Sequence, residues 1–165
     1  MSGFYCTVIP TDPRWAPDDP HESAAVALFA DQMYPDPGHR EVRADRSDGV
    51  TLFTGGVHLE RLVCPRCAEV LGQPVGPVSM EWFVEQLDRC HTEQDGYWPL
   101  QVIAPCCGAE ISLNDLNDES AETTMGFALW SMEAYRPQTD NLGGEEQQQL
   151  EAVLGHPVRV IWVRI

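Results

Sequence analysis

Four of the six cysteines in this 165-residue chain fall in two close pairs, Cys64 and Cys67 in "VCPRC" and Cys106 and Cys107 in "APCCG". A CxxC segment delivers two thiolates to one metal ion because its two intervening residues wrap back around the ion, and Zn²⁺ takes four such ligands in a tetrahedron. Pro65 suits a turn inside the first pair, and Gly108 after the second lets the backbone bend tightly. The residue types and spacing predict one structural zinc site with Cys64, Cys67, Cys106 and Cys107 as ligands.

The second pair departs from a double CxxC pattern. Adjacent side chains point apart in an extended strand, so Cys106 and Cys107 reach one ion only if a sharp turn from Pro105 to Gly108 gathers them. Failing that, Cys90, His91 or His58 completes the site. A set of three cysteines with an open fourth position suits a zinc-dependent hydrolase or a deaminase-like enzyme. A CxxC thiol redox protein is a further alternative, but that chemistry calls for a helix N-terminus to lower a thiol pKa, and "AEVLGQPVGP" is a poor helix start.

"HLERLVCPRC" holds the residue types of a zinc deaminase, His58 and Glu60 ahead of Cys64 and Cys67. In those enzymes the two motifs head separate helices, which three intervening residues cannot accommodate. No phosphate loop, nucleophile elbow, HExxH or dinucleotide fingerprint occurs in the chain. Asp115 and Asp118 in "SLNDLND" suit turn capping better than cation binding.

The formal charge of -16, from 26 acidic residues against 10 arginines, disfavours nucleic acid and anionic membrane surfaces as partners and favours a basic protein. No apolar run approaches the length of a membrane span, and "MSGFYCTVIP" lacks the pattern of a secretory signal, so a cytoplasmic location is expected. Six cysteines in a reducing cytosol point to metal binding or reactive thiols ahead of a disulfide scaffold. Trp15, Trp82 and Trp98 are candidate anchors for a partner in an adaptor role.

The elements that must position the cysteines read as α+β: a mixed β-sheet with packed helices, a C-terminal βαβ unit and an inserted zinc-ribbon-like element, in a single domain over 1–165. "FYCTVIP" reads as a strand, and a helix starts at "DDPHESAAVALFADQM" with Asp19 as cap and Glu22 in a capping box. "HREVRA" and "VTLFT" read as a hairpin around Asp48 and Gly49. A helix capped by Ser79 carries Met80, Phe83, Val84 and Leu87 on one face. The zinc-ribbon-like halves fall at about 57–72 and 100–112, after the strands "LERLV" and "LQVIA". The C-terminal unit is the strand "GFALWSMEAY", a helix closed by Gly155, and "VRVIWVRI", expected to be central because it is apolar on both faces.

In "YCTVIPTDP", "CPRC", "PCCGAEISLNDL" and "LEAVLGHPVRVIWVRI" the chain resembles a group of small uncharacterised bacterial proteins with a CxxC and a PCCG followed by SLNDL. The resemblance implies a full-length single domain with a zinc site and implies no activity. A four-thiolate site is closed to substrate, so the expected function is a zinc-stabilised, acidic, non-enzymatic interaction module, with an immunity or inhibitor protein for a basic partner as its most specific form.

Overall fold

The structure, a computed structural model, describes residues 3–118 and 122–165. Its elements run β1 (Phe4–Pro10), α1 (Asp19–Met33), β2 (Val42–Thr54), β3 (Leu62–Val63), β4 (Val70–Gly72), α2 (Glu81–Cys90), β5 (His91–Thr92), β6 (Gly96–Tyr97), β7 (Gln101–Ile103), β8 (Glu110–Ser112), a 3-10 turn (Leu113–Asp115), β9 (Met125–Tyr135), α3 (Gly144–Leu154) and β10 (Val158–Arg164). Residues 119–121 of the polar stretch before β9 lie outside the described residues.

The large sheet has the order β10-β1-β9-β2-β6-β5. Strand β1 is antiparallel to both β9 and β10, and β2 is antiparallel to β9. It follows that β9 and β10 run parallel with β1 between them, and β1 and β2 run parallel with β9 between them. A helix joins each parallel pair, giving two interleaved split βαβ units. The fold is the α+β arrangement that the sequence predicts, with the C-terminal βαβ unit in place.

Two expectations about the strands are corrected. The first concerns β10, which is an edge strand instead of a central one. Both of its faces are apolar because Val158 packs with Leu150 and Leu154 of α3 while Ile161 and Val163 pack on Ile9 and Ala128 across the sheet. Its outer edge is closed near Arg164, whose carbonyl accepts from Val57 N–H at 3.1 Å and whose N–H donates to Gly55 at 3.2 Å.

The second is the hairpin expected around Asp48 and Gly49, which is one continuous strand, β2, with an irregularity between Arg46 and Thr51. Both halves pair with β9, so the turn residues bulge outward instead of reversing the chain. At the bulge Val50 pairs with Gly96 of β6. A Cβ on Gly49 would lie 2.5 Å from the Gly96 nitrogen, so this position needs glycine for the close approach.

The cap of helix α1 sits one residue earlier than expected: Asp18 is the N-cap, and its carboxylate accepts from His21 N–H at 3.0 Å. Glu22, expected in a capping box, instead accepts from the indole N–H of buried Trp130 at 2.6 Å. Ala25, Phe29 and Met33 form the buried stripe, packed in one core with Trp130, Met132 and Cys6. The N-cap of α2 is Met80, one residue after the expected Ser79, whose hydroxyl accepts from Glu81 N–H at 3.0 Å; Met80, Phe83 and Leu87 face inward while Val84 is exposed. Helix α3 ends at Gly155 in the left-handed region, φ +72°. No helix among the described residues is long and apolar enough to cross a membrane.

A second core lies under the segment between β2 and β9. Leu62, Leu71, Phe83, Leu100, Ile111, Leu113 and Leu116 pack there with Phe127 of β9. This core carries two short hairpins, β3–β4 and β7–β8, and the four clustered cysteines sit at their tips.

Candidate metal centre

Each hairpin is closed by the same pair of backbone hydrogen bonds. In the first, Cys64 N–H donates to Glu69 at 2.8 Å and Ala68 N–H donates to Cys64 at 2.9 Å. In the second, Ala104 N–H donates to Ala109 and Gly108 N–H donates to Ala104, both at 2.9 Å. Pro65 and Pro105 follow the first residue of each turn, and Ala68 and Gly108 both adopt left-handed conformations, φ +64° and +72°. Cys64 and Ala104, the residues at the base of each turn, are each only 1% exposed.

The two turns are therefore equivalent position by position. Cys67 matches Cys107, but the counterpart of Cys64 is Ala104, and Cys106 takes the place of Arg66. One sulfur of the second turn has moved from its buried base to its tip. Because Cys106 and Cys107 lie in a tight turn instead of a strand, their side chains do not alternate across a sheet, which resolves the difficulty that adjacent cysteines pose.

All four thiol sulfurs lie within 4.8 Å of one another. Cys67 Sγ is 3.3 Å from Cys106 Sγ, and Cys64 Sγ is 3.9 Å from Cys107 Sγ. Zinc–sulfur bonds of about 2.3 Å arranged tetrahedrally separate the sulfurs by roughly 3.8 Å, so the group is of a size to hold such an ion with small adjustments. The structure brings together every residue expected from the sequence as a ligand. The fallback ligands stay out of the group: Cys90 ends α2 with its thiol toward the Leu87 carbonyl, and His58 and His91 are exposed. Glu60, the other half of the deaminase-like motif, is also exposed. All six cysteines are free of disulfides.

The thiols differ electrostatically. Burial pushes the Cys64 thiol up, but backbone N–H groups of Cys67 and Arg66 and the neighbouring thiols of Cys106 and Cys67 outweigh it, bringing the pKa down to about 7. Burial and the sulfurs of Cys67, Cys64 and Cys107 push Cys106 up to about 12. Four thiolates this close repel one another, and a divalent cation between them removes that repulsion and drives the last protons off. A shallow cleft of about 450 Å³ beside the centre is lined by Pro65, Arg66, Gln101, Glu110, Ile111, Ser112 and Asp115, with no cysteine opening into it.

Sequence reasoning missed the residues that fasten this centre to the sheet. Asn114 is buried in the 3-10 turn immediately after β8. Its amide donates to the Thr11 carbonyl at 3.1 Å, and its side-chain oxygen accepts from Phe127 N–H at 2.9 Å and from Arg159 at 3.0 Å. Arg159 also donates to the Asn114 carbonyl at 2.6 Å and pairs with Asp115 at 3.5 Å. Arg61, just before β3, pairs with Asp118 at 2.6 Å, joining the entry of the first hairpin to the exit of the second. Asp115 and Asp118 each pair with an arginine, Asp115 with Arg159 and Asp118 with Arg61. Five polar or charged residues within "SLNDLND" were the available signal, since a segment so rich in short polar side chains between two apolar strands must satisfy them somewhere.

No protein-family model, curated protein or solved structure matches this chain.

Proposed function

We propose that the chain is a zinc-stabilised, non-enzymatic protein-interaction module whose acidic surface engages a basic partner, in the manner of an inhibitor or immunity protein. The observation that carries the metal half is the approach of four thiol sulfurs, from two equivalent turns, to within 4.8 Å. Four thiolates complete the tetrahedron of a zinc ion and leave no position for water or substrate, so the ion holds the hairpins and does no chemistry. Supporting the interaction half is the net charge of -16, which accelerates encounter with a positive surface and repels nucleic acid and anionic lipid.

Metal analysis of the purified protein tests the first half: one zinc per chain is expected, with melting temperature falling on chelation and recovering on zinc addition. Affinity capture from the source organism at low and high salt tests the second. A single basic protein held at low salt and released at high salt supports the reading, while turnover of a small substrate by the zinc-loaded protein contradicts it.

A further inference from the structure

The displaced sulfur makes the centre asymmetric. In the first turn the amides of Arg66 and Cys67 face the sulfur of Cys64. By the equivalence of the turns, the corresponding amides of Cys106 and Cys107 face the methyl group of Ala104 instead. N–H donors draw electron density from a metal-bound thiolate and lower its reactivity, so Cys106, without the pair of amides that faces Cys64, is more nucleophilic than Cys64. Cys106 is only half-buried at the tip of its turn, and 3.3 Å away is the sulfur of Cys67, which is exposed.

Resting on the four-thiolate reading of this site, we propose that Cys67 and Cys106 form an oxidation site, where a peroxide-class oxidant closes a disulfide between the two turns and releases the ion. The Cys106 thiolate attacks one peroxide oxygen, breaking the O–O bond, and becomes a sulfenic acid as hydroxide leaves. The Cys67 thiolate then attacks the Cys106 sulfur, forming the S–S bond and expelling a second hydroxide. Two thiolates are oxidised, one peroxide is reduced, and two protons from solvent complete two waters. Only Cys64 and Cys107 remain as ligands, too few to retain zinc in competition with a chelator. Both turns are built on the same core, so the disulfide ties together hairpins that the ion had joined, and a dithiol reductant with zinc restores the starting state.

The test treats zinc-loaded protein with hydrogen peroxide in the presence of a colorimetric zinc chelator, then maps disulfides by peptide mass spectrometry. One zinc released per chain together with a Cys67–Cys106 disulfide, reversed by dithiothreitol, is expected. Release with a Cys64–Cys67 or Cys64–Cys107 disulfide, or release with no disulfide, overturns the proposal. A second variant moves the sulfur back to the base of the turn, Ala104→Cys with Cys106→Arg, which restores the pattern of the first turn. It is expected to bind zinc and to release it at least tenfold more slowly under peroxide, and an unchanged release rate contradicts the role of the displaced ligand. Zinc content before oxidation separates the two claims: fewer than one ion per chain sinks the metal reading, while disulfide mapping on that protein still decides whether Cys67 and Cys106 are the reactive pair.

Discussion

Cys106 stands in the second turn where Arg66 stands in the first, two residues beyond Ala104, the counterpart of Cys64. The replacement costs the second turn the buried cysteine at its base and supplies a half-buried one at its tip, while the four sulfurs still converge within 4.8 Å. The backbone of the turn is thus preserved although its cysteine has moved, because proline, the left-handed residue and two main-chain hydrogen bonds define the turn without help from the sulfur.

Removing a ligand is expected to cost metal and stability together. For Cys64→Ser and for Cys107→Ser, zinc content falls well below one per chain and the melting temperature drops by about 10 °C, equivalent to roughly 3–4 kcal/mol at this chain length. Calorimetry with parallel metal analysis checks both quantities. Full zinc and an unchanged melting temperature in Cys107→Ser would remove that residue from the centre.

Asn114→Ala separates the joint from the metal. The change deletes the partners of Phe127 N–H and the Thr11 carbonyl at a buried position and takes one acceptor from Arg159. Stability is expected to fall by about 2–4 kcal/mol in urea denaturation, the cost of stranding buried polar groups. Zinc stoichiometry stays at that of the wild type, since no ligand is touched.

Ala68→Gly is expected to stabilise the protein. Ala68 holds φ +64° where the sister turn uses Gly108 at φ +72°, and a side chain in the left-handed region costs roughly 1–2 kcal/mol. Glycine also gains freedom when unfolded, which offsets part of this, leaving a net gain of about 0.5–1 kcal/mol. A lower midpoint in urea denaturation for the variant would show that the first turn tolerates alanine without strain.

Cys6 supplies a pH dependence independent of the metal. Burial among Val8, Trp130 and Met132 pushes its thiol up to about 12. The native state keeps a proton that the unfolded chain loses near its ordinary value of about 8.5. The stabilisation is therefore complete below that ordinary value and is lost as pH rises toward 12, at about 1.4 kcal/mol per pH unit. The stability difference between wild type and Cys6→Ala, followed by urea denaturation from pH 8 to 10.5, is expected to shrink with that slope. A difference independent of pH would mean that the thiol ionises freely in the native state.

Local signals placed the three helices and most long strands. Asp18 to Pro20, Ser79 and Gly155 mark helix ends through hydrogen bonds made within a few residues, so they can be read without knowing the fold. The strands went astray where partners are distant in sequence. Asp48–Gly49 has the composition of a turn, yet pairing of both flanks with β9, some eighty residues away, holds β2 straight and turns the signal into a bulge. In β10, two apolar faces suggested a central strand, and only the tertiary arrangement shows cover from α3 on one side and from Ile9 and Ala128 on the other. The clustering of the four cysteines was legible because four thiols with turn-forming neighbours are a chemical pattern. The correspondence of Cys106 with Arg66 was also in the sequence, in the alignment of "VCPRCAE" with "IAPCCGA" on their prolines. Asn114 was not, since its three partners come from residues 11, 127 and 159.

X-ray absorption at the zinc edge tests the central claim most directly, because it counts the ligand atoms around the ion in the intact protein. The account predicts four sulfurs at about 2.3 Å and no lighter neighbour. Three sulfurs with one oxygen or nitrogen would contradict it, leaving Cys106 or another cysteine outside the centre and opening a coordination position to substrate.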